Sequence, residues 1–561
     1  MTRAALRPLL ALAVVAACAG EEPPEELPPV ECGEIVEVPD EALRALLLEV
    51  LPAREVAGDT DTDGAGEPVI YAADLEALGG LRGGGLGIVD LTGLECAHGL
   101  ETLGLADNAI VDLEALARLP LLREVELSDN PIRELRPLAS IETLEKINVA
   151  NTEASDLGPL RYLEALRHLD ASGCGVADLG PLAGLVSLDT LVLNSNAIVD
   201  LEALAGLSEL YALRLAGNAI ADVEALAGLD RLEHLDLDGN DVETLAPLAG
   251  LVALRDLEVR DNELRDLTGV SDKPELLELD LEGNLLSDIS ALTGLPRLVR
   301  LDVEDNRLTS LTGVEGLLSL RTLLARTNQL SAAPEVAGLV ALRRLDLRDN
   351  LGIVDLQPFA GLVELDWLGI GGAPVTADFA PLVGLPLLRQ IEASFVTPTD
   401  LGAFAEMSAL RDLNLSDSPA VRDETLAALA AVTQLKSLSV HRTAISDPTP
   451  LLAILGLQSF EASGTEIASL VAMSSWEDIT AITLEDTPLA SLAGVEAMTG
   501  LAALDVSGTA IDDLAPLLAL PNFRNGDGVD VRATALDDGD CAAIVELRER
   551  NAVVSTDLTC E

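Results

Sequence analysis

The sequence is poor in basic and aromatic residues. Its 35 Lys and Arg stand against 95 Asp and Glu, which gives a formal net charge of −60 at pH 7. Such a surface repels phosphate backbones, so we expect cations or basic proteins as partners and no nucleic acid. Aromatic residues make up only 2% of the chain. An aromatic side chain that faces outward is therefore informative about binding.

Residues suited to catalysis are also scarce. The chain has four histidines and lacks a phosphate-binding loop, a C-x-x-C pair and a G-x-S-x-G motif. His168 and His234 occupy equivalent positions of a repeat, but three repeats apart, which is about 14 Å if strands stack at ~4.8 Å. They cannot share a metal ion, whose bonds to histidine are about 2 Å long. We therefore predict no enzyme, no catalytic residue and no cofactor.

What the chain has instead is a repeat with a period of 22 residues. An asparagine or a small substitute for it recurs at Asn108, Asn130, Thr152, Cys174, Asn196, Asn218, Asn240, Asn262, Asn284, Asn306, Asn328 and Asn350. A fixed period of this size indicates a solenoid. The alternation at residues 235–237 predicts a short strand, and residues 178–185 (DLGPLAGL) predict a 3-10 or single helical turn. The asparagine amide is expected to satisfy backbone groups inside each turn.

This 22-residue pattern with its D-L-x-P-L-A-G-L segment resembles the internalin class of bacterial leucine-rich repeat proteins. The resemblance covers roughly residues 78–536. It implies an α/β solenoid, a right-handed superhelix of about 20 coils with a concave parallel sheet and a thin convex side. It also implies a helical N-terminal cap, a disulfide-closed C-terminal cap, and a role in binding macromolecules rather than in chemistry.

The predicted order of segments is a signal peptide at 1–17, a Pro/Glu-rich tether at 18–38, an N-terminal cap at 39–99, repeats at 100–535 and a C-terminal cap at 536–561. Residues 15–18 (VAAC) resemble the lipobox of bacterial lipoproteins. That resemblance implies a lipid on Cys18 and a place in the bacterial cell envelope, at the outer membrane or cell surface. The alternative is an ordinary signal peptide.

Four cysteines fall in the predicted caps, and Cys174 takes an asparagine position in a repeat. An exported protein is expected to oxidise such cap cysteines. Of three possible connectivities we predict Cys32 with Cys96 and Cys541 with Cys560; unpaired thiols are the alternative.

Two candidate sites lie on predicted strands, at positions that face away from the core. An acidic stripe occupies the fifth position of L-x-x-L-x-L in successive repeats: Asp236, Glu258, Asp280 and Asp302. Carboxylates about 4.8 Å apart repel one another, so a bound cation or a basic partner would stabilise them; a hydrated, screened surface is the alternative.

The second candidate lies where the repeat loosens after Asn350. It is a partner-binding patch of Arg344, Asp346, Arg348, Trp367 and Phe395. Arg and Trp are enriched at interface hot spots. The alternative is that Trp367 and Phe395 turn inward, where Ala373 and Val396 replace ladder residues.

A third, weaker candidate is a calcium loop at Asp59, Asp61 and Asp63, although its twelfth position is Ile70 rather than Glu. A solvated acidic loop is its alternative. The sequence thus predicts a protein-binding module for adhesion or recognition through the concave sheet. The alternative function is a cation-dependent scaffold of the envelope.

Overall fold

The computed structural model describes residues 30, 32–52, 68–372, 375–399, 401–520 and 522–560. The chain forms two compact units, Met1–Val242 and Glu243–Glu561. The proposed lipidation site Cys18 and the calcium candidates Asp59, Asp61 and Asp63 lie outside the described residues, as does Ala373. None of the helices in the described part of the chain has the length and apolar character needed to cross a bilayer.

The first unit begins with a helical cap. Strand β1 (Ile35–Val36) pairs antiparallel with β2 (Ile70–Tyr71), and helices α1 (Glu41–Val50) and α2 (Ala72–Glu76) lie between and after them. Asp40 starts α1 by accepting a 2.9 Å hydrogen bond from the Leu43 amide, as an N-cap residue does.

The rest of the first unit is one parallel sheet with thin 3-10 turns behind it. Each strand pairs with the next in register, 22 residues on. Its strands are β3 (Gly80–Arg82), β4 (Thr102–Gly104), β5 (Glu124–Glu126), β6 (Lys146–Asn148), β7 (His168–Asp170), β8 (Thr190–Val192), β9 (Ala212–Arg214) and β10 (His234–Asp236). The 3-10 helices are Leu94–Cys96, Glu114–Leu116, Arg136–Ser140, Gly158–Tyr162, Gly180–Leu182, Glu202–Leu204 and Glu224–Leu226.

The second unit continues the same design with longer helices in places. Its parallel sheet consists of β11 (Asp256–Glu258), β12 (Glu278–Asp280), β13 (Arg300–Asp302), β14 (Thr322–Leu324), β15 (Arg344–Asp346), β16 (Trp367–Gly369), β18 (Gln390–Glu392), β20 (Asp412–Asn414), β21 (Ser437–Ser439), β22 (Ser459–Glu461), β23 (Ala481–Thr483), β24 (Ala503–Asp505), β25 (Gly528–Asp530) and β26 (Val553–Ser555). A separate parallel pair is formed by β17 (Val375–Ala377) and β19 (Val396–Pro398).

The helical elements of the second unit follow the strands. The α-helices are α3 (Ala403–Glu406), α4 (Asp423–Leu429), α5 (Ala515–Leu518) and α6 (Cys541–Glu549). The 3-10 helices are Ala246–Gly250, Val314–Gly316, Pro334–Gly338, Gln357–Phe359, Ala380–Leu382, Thr449–Ala453, Val471–Ser475, Val495–Ala497 and Asp538–Asp540.

Buried polar side chains hold successive coils together. The Asn306 amide donates to the carbonyls of Leu281 in the preceding coil (2.8 Å) and Val303 in its own coil (3.3 Å), and its oxygen accepts from the Leu286 amide (2.9 Å). Toward the C-terminus threonine replaces asparagine, and the Thr465 hydroxyl donates to Ala462 within its own coil (2.6 Å). The asparagine ladder therefore links neighbouring coils, whereas this threonine bonds within one coil.

The predicted fold class, a solenoid with a parallel sheet and short helical turns, is confirmed. The predicted disulfides are confirmed too: Cys32 bonds to Cys96, and Cys541 bonds to Cys560. Cys174 is buried and free, at the ladder position that its spacing predicts.

Candidate functional site

The strands of each sheet have one residue in the core between two that face away from it, on what we call the open face. In β15 Leu345 is buried, while Arg344 and Asp346 lie on the open face; in β16 Leu368 is buried between Trp367 and Gly369. The parallel register puts Arg344 beside Trp367 and Asp346 beside Gly369. Two adjacent strands thus carry Arg344, Asp346 and Trp367 of the predicted patch.

Trp367 lies on the open face, half-buried, and two arginines stack on it. The guanidinium carbon of Arg344 lies 3.9 Å from the indole centroid, and that of Arg348 lies 5.2 Å from it. Both distances are in the range of cation–π attraction. The indole rests across Gly369, because a Cβ atom there would lie 2.6 Å from the Trp367 ring. Gly369, which sequence reasoning missed, leaves the space that the indole ring occupies. The only sequence signal for it is a glycine in a strand position that carries Asp in the preceding coil.

Arg348 is fixed by a buried partner. Its Nη2 lies 2.6 Å from Oδ2 of Asp346, and its Nε donates to Oδ1 at 2.9 Å. Asp346 is only 1% exposed. The bond to Asp346 raises the pKa of the Arg348 guanidinium further above its ordinary value. This bidentate geometry holds the side chain of Arg348 in place before any partner arrives.

Phe395 lies apart from this stack, at the turn that follows β18. Its side chain is 44% exposed, and its backbone is left-handed, with a φ of +62°. Most coils place Asp, Asn or Gly at this turn. A bulky residue there is strained, and such strain is characteristic of functional sites. Among the described residues Phe395 forms no aromatic pair with Trp367.

The acidic stripe differs from its prediction. Asp236 is on β10 of the first unit, while Glu258, Asp280 and Asp302 are on adjacent strands of the second unit. The sequence predicted exposed carboxylates, but Asp280 and Asp302 are only 9% and 3% exposed. That expectation is wrong because side chains of the flanking positions, such as Arg300, lie over them: Arg300 is 2.8 Å from Asp302 and 3.8 Å from Asp280.

Three carboxylates of this region lie close together. Oxygens of Asp280, Glu282 and Asp302 lie within 4.8 Å of one another. Burial, with the charges of Asp280 and Glu304, raises the pKa of Asp302 to about 7. Burial also raises the pKa of Glu304. Asp302 therefore takes up a proton more readily than an ordinary aspartate.

The comparisons with known proteins agree with this architecture. A family model described as a leucine rich repeat matches residues 186–242. An internalin of Listeria monocytogenes is 28% identical and superposes with a TM-score of 0.55, over 59% of this chain and 95% of its own. The chain therefore has a leucine-rich repeat fold, similar to that of this internalin. No curated protein sequence matches it.

More distant leucine-rich repeat proteins share the fold. A leucine-rich repeat protein of Leptospira interrogans is 20% identical, with a TM-score of 0.57 over 72% of this chain and 99% of its own. The plant peptide hormone receptor RGFR1, solved in complex with RGF2, is 14% identical, with a TM-score of 0.54 over 89% of this chain and 94% of its own. Identities this low show a common fold alone.

Proposed function

We propose that this leucine-rich repeat protein is a non-catalytic protein-binding module whose partner docks on the open face of the second unit, across Trp367. The observation that carries the proposal is the placement of Trp367, half-buried on the open face with two arginines within cation–π distance of its ring, in a chain with only 2% aromatic residues. Tryptophan and arginine dominate interface hot spots. Because Gly369 seats the ring and Asp346 fixes Arg348, the site is preformed, which lowers the entropic cost of binding.

The test is capture of a partner by the full-length protein through cross-linking to envelope and extracellular material. We expect Trp367→Ala to weaken partner binding about 30-fold, the effect of losing a hot spot of about 2 kcal/mol. Tyr211→Ala is the matched control, because Tyr211 is an aromatic residue of the first unit that is 43% exposed. If Trp367→Ala retains the partner as well as the parent does, the site is elsewhere. If no variant captures a specific protein, the binding role is wrong.

The same proposal places the protein in the bacterial cell envelope, held by a lipid on Cys18, where it serves adhesion or recognition. Its support is the lipobox-like sequence at residues 15–18 together with the two cap disulfides, which suit an oxidising compartment. Cys18→Ser should move the protein from the membrane fraction to the soluble fraction. Unchanged membrane association would exclude lipid on Cys18 as the anchor.

A second candidate function, a cation-dependent scaffold, is favoured by the cluster of Asp280, Glu282 and Asp302. It predicts that calcium raises the melting temperature by several degrees, and that Asp280→Asn with Asp302→Asn abolishes this increase. A melting temperature that does not respond to calcium argues against it.

A further inference from the structure

Three neighbouring rows of the open face form an arginine island, which we define as residues 321–326, 343–348 and 366–371. The island contains five arginines and two aspartates. The three preceding rows, residues 255–260, 277–282 and 299–304, contain three arginines and seven carboxylates. Within the island arginines outnumber carboxylates, although the whole chain carries −60.

Ion pairs within the protein account for only part of the island. Asp346 is engaged by Arg348, and Arg326 lies 2.6 Å from Asp349. Arg343 reaches Glu364 only at 3.5 Å, between side chains that are both largely exposed. Such surface pairs contribute little.

Two further arginines, Arg321 and Arg344, pair with no carboxylate in the part of the chain that the structure describes. Their backbones are joined, because the amides of Arg343 and Arg344 both donate to the Arg321 carbonyl, at 2.8 and 3.0 Å. The register places Arg321 opposite Arg343, and like charges directly opposite one another on adjacent strands destabilise a sheet. An anion bound here would remove that cost.

The first unit shows the same column with charges of both signs. At the position of Arg321 and Arg343, its coils alternate in sign from Glu101 to Asp189, and some neighbours pair with one another. Arg123 pairs with Glu145, and Arg167 lies 2.9 Å from Asp189. In the second unit Arg321 has no acidic neighbour in this column, because Val299 precedes it and Arg343 follows it. A negative charge supplied by a partner would therefore stabilise it.

We infer that the protein segment that binds across Trp367 is acidic, with carboxylates that pair with Arg321 and Arg344 and an apolar side chain that packs against the indole. This inference rests on the proposed function, because it names the chemistry of the partner at that site. Arginine and carboxylate pair through two parallel hydrogen bonds, which orients the segment. The Debye length is about 8 Å at physiological salt, so the distant acidic surface is screened while the arginines in contact are not.

The sign of the local field can be measured without a partner. The chain has two tryptophans, and Trp476 is fully buried, so an aqueous quencher of fluorescence acts on Trp367. We expect iodide to quench Trp367 about twofold more efficiently than caesium at equal ionic strength, relative to a free tryptophan amide. Arg321→Gln with Arg344→Gln should abolish this preference, and Arg123→Gln with Arg167→Gln, the matched control in the first unit, should preserve it. Stronger quenching by caesium in the parent would overturn the inference.

Binding is tested with two synthetic peptides of about ten residues, one with Glu alternating with Pro around a central Leu, the other with Lys in place of each Glu. We expect the Glu peptide to shift Trp367 emission, to bind at least about tenfold more weakly at high salt than at low salt, and to lose binding in the Arg321→Gln, Arg344→Gln variant. A Lys peptide that binds as well as the Glu peptide contradicts the inference.

The two proposals fail separately. If a captured protein is lost by Trp367→Ala but held by the Arg321→Gln, Arg344→Gln variant, the proposed function stands and the acidic partner is wrong. If Trp367→Ala keeps the protein, the proposed function itself fails.

Discussion

Asp302 and Asp346 occupy the same column of one sheet, two coils apart, and both are buried, at 3% and 1% exposure. Asp346 accepts hydrogen bonds from Nε, Nη2 and the backbone amide of Arg348. Asp302 accepts one from Arg300 and shares its surroundings with Asp280 and Glu304. The first is a fixed ion pair beneath Trp367; the second has a pKa raised to about 7.

The difference teaches that the neighbours of a buried aspartate, and not its burial alone, decide what it does in the structure. Burial and nearby acidic side chains raise the pKa of Asp302. In the arginine island Arg348 pairs with Asp346, which makes a buried carboxylate the anchor of a binding residue. Coils of the same sheet can therefore differ in function, although they share one repeat pattern.

The largest effect is expected when Asp346 loses its partner. Arg348→Ala leaves a buried carboxylate unpaired and should lower the free energy of unfolding by about 3–5 kcal/mol, measured by urea denaturation. Arg326→Ala removes an exposed pair with Asp349 and should cost at most about 1 kcal/mol. Equal effects of the two substitutions would show that Asp346 does not depend on Arg348.

A buried cation without a carboxylate sharpens the comparison. Lys273 is fully buried, and its Nζ donates to the carbonyls of Leu248 (2.8 Å) and Leu251 (3.3 Å). The neighbouring coils have Leu251 and Leu295 at this position. Burial lowers the pKa of Lys273 to about 8. Lys273→Leu should therefore raise the free energy of unfolding at pH 7, by up to about 3 kcal/mol.

The lowered pKa of Lys273 also predicts how stability changes with pH. The folded protein binds fewer protons than the unfolded chain between about pH 8 and 10.5, so the parent should gain stability as pH rises through this window. Lys273→Leu should lack this gain. Lys436→Leu is the control, because Lys436 is only partly buried and donates to Gly456 at 2.9 Å. A parent whose stability is flat over this window would contradict the prediction.

Asp302 should show the opposite slope. Its folded pKa of about 7 lies above the ordinary value of 3.8, so the folded protein holds the extra proton. The parent should therefore lose about 3 kcal/mol of unfolding free energy as pH rises from about 4 to 7, and Asp302→Asn should lose less. Asp530 is a useful contrast, because its bond to Arg532 lowers its pKa. Identical pH profiles for the parent and Asp302→Asn would contradict the prediction.

The period of the repeat predicts the strands, the asparagine ladder and the thin turns, because each follows from the spacing of residues within one coil. The burial of Asp280 and Asp302 depends on side chains of neighbouring coils, so a single repeat does not show it. The seat of Trp367 on Gly369 depends on an inserted residue, since Arg344 pairs with Trp367 rather than with the residue 22 positions on. Net charge is an average, and it conceals the arginine island.

The smallest effect on stability is expected at Arg344, whose surroundings differ from those of Arg348. Arg344 is exposed, stacks on Trp367 and has no carboxylate partner among the described residues. Arg344→Gln should therefore lower the free energy of unfolding by no more than about 1 kcal/mol, the value of an exposed cation–π contact. It should still change the near-ultraviolet circular dichroism of Trp367, because the indole loses the cation above it. A loss of stability as large as that of Arg348→Ala would mean that Arg344 supports the fold, and it would leave the arginine island with less charge to offer a partner.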